Sequence, residues 1–237
     1  AKSSPNYWAR SANAPNKKMT NLFIPQRAFF HYYFTCPFRP EPPKINGNLR
    51  DWDDTYKLPD LMGVEDMQSF ATFYMAWNDD GLYLGIEVKK KTRYKLDPKN
   101  FTEGDCLELF LDTRDVKDTH RANRYCYRFY FLPGGRGPQG KQPIGRQTSI
   151  DNAREQAPPC PEEAIEMGLR RLKRSYQMEI KIPAAGLHGF QPREFDRLGF
   201  TYLLHDSELG LQSWSAGRDQ ATATDPSTWG TVEFAMD

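Results

Sequence analysis

Alternation of apolar and polar residues with a period of two recurs seven or eight times beyond residue 69, and it constrains this chain more than any other feature. Ser69–Trp77 places Ala71, Phe73, Met75 and Trp77 on one parity. Asn78-Asp79-Asp80-Gly81 follows as a turn signal, with glycine where a positive φ is needed. Leu82, Leu84, Ile86 and Val88 then alternate. Asp105–Asp112 sets Leu107, Leu109 and Leu111 against Cys106, Glu108 and Phe110. Arg124–Leu132 sets Tyr125, Tyr127, Phe129 and Phe131 against Cys126, Arg128 and Tyr130. Tyr176, Met178, Ile180 and Ile182 make a further run, and Phe200–Asp206, Leu211–Ser215 and Thr231–Ala235 complete the set. Successive side chains on a strand point to opposite faces, so each run predicts a strand with one buried face. No long stretch has helical spacing. The fold class expected is all-β: an antiparallel β-sandwich, jelly-roll-like, with long loops.

Two stretches interrupt the pattern. Pro133–Gln147 is rich in glycine and proline and is expected to be a loop. Asp151–Gly168 holds Pro158, Pro159 and Pro161, then Glu162–Met167, which suits a helical turn or two.

The N-terminus differs from the rest. Residues 1–44 hold seven basic residues and one acidic residue, seven prolines and nine aromatics. Proline at that density forbids long helices and central strands, while disordered segments lack aromatics. The expected organisation is an irregular arm, residues 1–43, before a sandwich domain, residues 44–237. The arm either wraps its own core or docks a partner protein through Trp8, Phe29, Phe30, Tyr32 and Tyr33.

Charge and motif content exclude several functions. A net charge of +1 argues against nucleic acid held by overall electrostatics. No apolar run approaches the ~20 residues of a membrane helix. His31, His120, His188 and His205 are scattered, and no metal-ligand spacing, nucleophile elbow or P-loop occurs. Gly134-Gly135-Arg136-Gly137 follows a strand but precedes no helix, so it is no phosphate cradle. Met75 and Met178, which could in principle ligate haem, share the parity of core residues. The expectation is a binder, not an enzyme, without a cofactor. Loop-adjacent Asp79, Asp80, Asp112 and Asp115 leave structural calcium open. Cys36, Cys106, Cys126 and Cys160 lack zinc-site spacing. Ala1 in first place leaves two origins open, a trimmed methionine or a removed leader. The location expected is periplasmic or extracellular, with the cytoplasm not excluded.

One constellation stands out. If Asp105–Asp112 and Arg124–Leu132 pair as a hairpin, Cys106 is expected to face Arg128, and Glu108 to face Cys126. Glu108 and Arg128 are then diagonal neighbours on the face away from the leucines, with Phe110 and Tyr130 nearby. Cys106 and Cys126 are diagonal too, poor geometry for a disulfide, so free thiols are expected. The face reads either as a polar binding groove or as an ion pair covered by a loop.

Several blocks resemble the family 9 carbohydrate-binding modules, within the broader DOMON-like sandwiches. Ile45-Asn46-Gly47-Asn48-Leu49-Arg50-Asp51-Trp52 resembles their opening, and Ala76–Leu84 their strand-turn-strand. Gly104–Asp112 resembles D-x-[VL]-E-[IL]-F-[IL]-D, and Tyr176–Pro183 resembles Y-x-x-E-x-x-I-P. Gly199-Phe200 with Asp206, Ser213-Trp214-Ser215 and Asp225–Gly230 follow in order. The resemblance covers residues 44–237 and implies a glycan ligand. It also implies two clamping tryptophans, whose positions hold Thr102 and Ala223, and a supporting glutamine, whose position holds Leu203. It keeps a glutamate as Glu108 and an arginine as Arg128. The ligand-binding set expected is therefore Glu108, Arg128, Tyr130, Phe101 and Phe110. Trp52, Trp77, Trp214 and Trp229 fall in blocks that look structural. With the clamp missing, an accessory subunit docked through the arm is the competing reading.

Overall fold

The computed structural model describes residues 30–216 and 221–236, so Trp8 and Phe29 lie outside the described residues. Eleven strands are described: β1 (Tyr33–Cys36), β2 (Ala71–Asn78), β3 (Gly81–Lys89), β4 (Cys106–Asp112), β5 (Cys126–Arg136), β6 (Gln142–Thr148), β7 (Glu166–Arg171), β8 (Ser175–Pro183), β9 (Arg197–Asp206), β10 (Gly210–Ser213) and β11 (Gly230–Phe234). Among the described residues helix occurs only as single 3-10 turns. The larger sheet runs β1-β11-β9-β4-β5-β6, with β10 also on β9, and the smaller runs β2-β3-β8-β7. All pairings are antiparallel except β1 on β11.

The alternation decides which faces meet. Leu107, Leu109 and Leu111 of β4 and Phe129 and Phe131 of β5 are buried against Met75, Trp77, Leu84, Ile86, Met178 and Ile180 of the smaller sheet. Each such side chain contributes on the order of 1.5–3 kcal/mol by leaving water, an upper estimate because unfolded chains are partly collapsed. Met75 and Met178 are fully buried in this core. The Trp77 indole N–H donates to the carbonyls of Cys36 and Ala235, fastening both ends of the described chain to the smaller sheet.

The arm's last residues are part of the sandwich. Phe34 and Cys36 of β1 reach the core, while Tyr33 and Phe30 stay about 60% exposed (59% and 60%). The Gly/Pro-rich stretch is a correction. Only residues 137–141 form a loop, and its flanks are the ends of β5 and β6. Proline survives there because β6 is an edge strand and the β5–β6 register shifts between Leu132 and Arg136. Residues 162–167 give one 3-10 turn, Glu162–Ala164, and then enter β7.

The opening block and the Y-x-x-E strand meet in one feature. Glu179 of β8, fully buried, accepts from the backbone N–H groups of Asn46, Gly47 and Asn48 at 2.9, 2.7 and 3.2 Å. Its other oxygen accepts from the Trp52 indole at 2.9 Å. Gly47 has φ +79, and a Cβ there would meet the Leu169 backbone at 2.5 Å, so only glycine fits.

Candidate functional site

The outer face of the larger sheet carries the residues the sequence singled out. Its hairpin register differs from expectation. Glu108 lies opposite Tyr130 and Phe110 opposite Arg128, a shift of four residues along β5. The long 113–125 connection leaves register to packing and not to a tight turn. An even shift preserves facing, so Glu108 and Arg128 remain diagonal on the same face. β9 adds Leu203 opposite Glu108 and His205 opposite Cys106, and β6 adds Arg146 opposite Tyr130.

Two covers lie over this face. One is apolar: Ala122, Ile150 and Trp229 pack on Phe110 and Cys126, with Leu203 and Ala223 at its margin. The other is the turn at Phe101–Glu103. Asp97 sets that turn by accepting from the N–H groups of Lys99 and Asn100, bonds that hold its carboxyl below the usual range. The Phe101 ring stacks flat on Tyr130, with centroids 4.2 Å apart and planes 1° apart. Thr102 and Ala223, the positions matching the family's clamp, therefore belong to different covers.

Glu108 lies in the seam between them. One oxygen accepts from Arg128 Nε at 2.8 Å and from Nη2, and the other bonds His205 Nε2 at 2.9 Å. Burial alone would push the carboxyl up, but the bonds to His205 and Arg128 outweigh it and hold it below the usual glutamate range. The Arg128 guanidinium lies over both Phe101 and Phe110, 5.5 and 5.7 Å from the ring centroids. Side-chain exposure rises outward from 3% at Glu108 to 12% at Arg128 and 26% at His205. Beside His205 opens a hollow of about 430 Å³, lined by Thr102, Glu103, Gly104, His205, Asp206, Ser207, Gly210 and Leu211. Behind it, Lys91 Nζ bridges Asp105 and Asp206 at 2.8 and 3.1 Å in full burial.

The five expected ligand residues thus meet at one place but play unequal parts. Phe110 is fully buried and packs against Trp229, and Tyr130 is buried with Phe101 stacked on its ring, so neither ring is open for a ligand. Glu108 does not point into open water. It holds Arg128 and His205 in place. His205 and the hollow were not anticipated. The signal was available: His205 shares the parity of Leu203, two residues earlier on the same strand.

The side chains of three of the four candidate calcium ligands have partners in the protein. Asp79 is forked by Arg193 at 2.7 Å through both oxygens, Asp112 accepts from the N–H groups of Arg114 and Val116, and Asp115 takes Thr231 and Lys117. Among the described residues no group of three or more His, Cys, Asp or Glu is arranged to hold a metal. All four cysteines are buried free thiols, and burial pushes Cys126 up to about 12. No helix among the described residues is long and apolar enough to cross a membrane.

The model of the family described as carbohydrate family 9 binding domain-like matches residues 50–236. The chain belongs to this family. Solved structures agree on the fold. A family 9 carbohydrate-binding module from Caldicellulosiruptor kristjanssonii, in complex with cellotriose, superposes with a TM-score of 0.57 at 14% identity, covering 86% of this chain and 93% of that one. The glucose complex from the same organism gives 0.56 at 15% identity, covering 86% and 95%. A putative carbohydrate-binding protein from Bacteroides uniformis gives 0.54 at 13% identity, covering 87% and 100%. No curated protein sequence matches the chain.

Proposed function

We propose that this chain is a non-catalytic saccharide-binding module whose ligand sits in the hollow beside His205. The observation that carries the reading is the Glu108 carboxylate, which bonds both Arg128 and His205, the latter a lining residue of the hollow. Fixed donors and acceptors suit sugar hydroxyls, and holding them in advance lowers the ordering cost of binding. Among the described residues nothing bonds His205 Nδ1 or Arg128 Nη1, so each keeps hydrogen-bonding capacity toward a ligand. Thr102 and Ser207 add hydroxyls, Glu103 a carboxylate, and Leu211 an apolar wall. Family membership supports the same class of ligand.

Calorimetric titration with glucose, cellotriose and other soluble oligosaccharides tests it, using the intact chain and His205→Ala. Loss of one hydrogen bond of this kind costs about 1.4 kcal/mol, or about tenfold in affinity. Absence of binding to every saccharide, or equal binding by His205→Ala, would sink the reading.

A second reading makes the chain an accessory subunit docked through its arm. It is favoured by Phe30 and Tyr33, both exposed beside the edge strand β1. Truncation before Phe34, which removes both rings, followed by native co-purification, separates the two. A partner retained by the truncated chain argues against this second reading.

A further inference from the structure

The same outer face carries an unused feature at its other margin. Residues 119–150 contain six basic residues, Arg121, Arg124, Arg128, Arg136, Lys141 and Arg146, and no acidic one. The chain's net charge is +1, so everything outside this stretch sums to −5. The stretch forms the β5–β6 hairpin and the connection leading into it. It therefore gathers basic side chains on and beside the β6 edge of the larger sheet, four of them paired with glutamates from outside the stretch.

At that edge two arginines converge on one carboxylate. Arg136 Nη1 lies 3.0 Å from Glu162 Oε1, and Arg146 Nε lies 2.7 Å from Oε2. The Arg146 bond is well formed. Oε1 is buried with no well-aligned hydrogen bond, only the ion-pair distance to Arg136. The arginine side chains are 57% and 46% exposed, and Glu162 sits on a one-turn 3-10 segment. Arg136 and Glu162 border a hollow of about 310 Å³. Surface ion pairs of this kind contribute about 0–1 kcal/mol, so a competing carboxylate can replace Glu162 cheaply. Close in sequence to Glu162, Glu163 is exposed and Glu166 is engaged by Lys181 at 2.8 Å.

Arg146 is not isolated from the seam. It lies opposite Tyr130, which lies opposite Glu108, so the three occupy one row across β6, β5 and β4. Two strand spacings, about 10 Å, separate the backbones at the ends of the row. A saccharide that starts at His205 and Arg128 and runs across the strands passes over the Phe101–Tyr130 stack and reaches Arg146.

We propose that the preferred ligand is a uronic-acid-containing saccharide, whose carboxylate displaces Glu162 from Arg136 and Arg146. This rests on the saccharide-binding reading above and adds the charge and direction of the ligand. Guanidinium pairs suit a planar carboxylate, which is the group Glu162 already presents to them.

The test is calorimetric titration of the intact chain with oligogalacturonate and with the same oligosaccharide methyl-esterified, which removes only the charge. The acidic form is expected to bind about tenfold tighter at low salt, with the preference fading toward about 1 M salt. Glu162→Gln is expected to raise affinity for the acidic form several-fold. The double variant R136Q/R146Q is expected to bind both forms alike. Thermal melts confirm that each variant is folded. Equal binding of the two forms by the unaltered chain overturns the proposal, as does a folded Glu162→Gln variant with unchanged or weaker acid binding. A single-stranded oligonucleotide that binds as tightly as the uronate also overturns it, because this edge is then a general polyanion surface. Uncharged saccharide binding that depends on His205 without acid preference removes this inference and leaves the reading of the hollow intact. No saccharide binding at all removes both.

Discussion

Lys91→Met removes one charge from the middle of the site's support and leaves the side-chain length nearly unchanged. In the native chain Lys91 Nζ is fully buried, 2.8 Å from Asp105 Oδ1, 3.1 Å from Asp206 Oδ1 and 3.2 Å from Ser207 Oγ. Both carboxylates have side-chain exposure of 1%, so water screens neither. Their backbone bonds survive the substitution: Asp105 keeps the N–H groups of Lys95 and Ser207, and Asp206 keeps those of Glu208 and Leu209. Their only ion-paired cation among the described residues does not. Breaking a buried pair by deleting one partner costs about 3–5 kcal/mol, and here one cation serves two anions, which places the expected loss at the upper end. At roughly 2–4 °C per kcal/mol for a domain of this size, the midpoint should fall by about 10–20 °C. Differential scanning calorimetry with urea titration measures it. Adding Asp206→Asn to Lys91→Met should recover part of the loss, because one of the two stranded charges is gone. A loss below about 1 kcal/mol, or no recovery in the double variant, would refute the reasoning. Asp206 and Ser207 also line the hollow beside His205, so the single variant should weaken saccharide binding at temperatures where it remains folded.

The Glu108 carboxyl has a folded-state pKa below its ordinary value of 4.5, so its bonds stabilise the fold fully above about pH 4.5 and are lost as the pH falls through the lower folded value. Thermal midpoints should therefore drop on acidification below pH 4.5, and Glu108→Gln should flatten that part of the curve; a wild-type slope retained in the variant would assign it to other carboxylates. Thr102→Trp places an indole at an exposed position on the rim of the hollow, and stacking worth about 0.5–1.5 kcal/mol should tighten saccharide binding roughly two- to tenfold in calorimetry. Weaker binding by a folded Thr102→Trp variant would place the ligand elsewhere.

How much was legible in the sequence depended on burial. β4, β5, β8 and β9 carry their inner-face alternation in large apolar residues, because one parity must fill the space between two sheets. That parity signalled both the sandwich and the side of the sheet on which Glu108 and Arg128 stand. β1, β6 and β7 were hidden for the opposite reason. They are the edges of their sheets, so only one flank needs backbone pairing. Proline and glycine are tolerated there, as at Pro143 and Gly145 of β6. Register was hidden as well, because period two fixes facing but not offset along the strand. The covers were invisible for a third reason. Trp229 and Ile150 meet Phe110 only through long-range folding of loops whose local patterns carry no face.

The burial of Glu108 separates two ways in which a carboxylate can serve a binding site. An exposed glutamate would accept ligand hydroxyls itself and would cost little to lose. This one has three bonds to Arg128 and His205 and 3% exposure, so it has almost no capacity left for a ligand. What it provides is position. Arg128 lies over both Phe101 and Phe110, and His205, which lines the hollow, is held through Nε2. A site built in this way selects ligands through the few donors and acceptors that remain, and not through aromatic contact area, because its own rings already cover one another. Specificity should then respond most to His205 and to the charge at Arg136 and Arg146. Substitutions at Phe110 should register as lost stability before they register as lost binding.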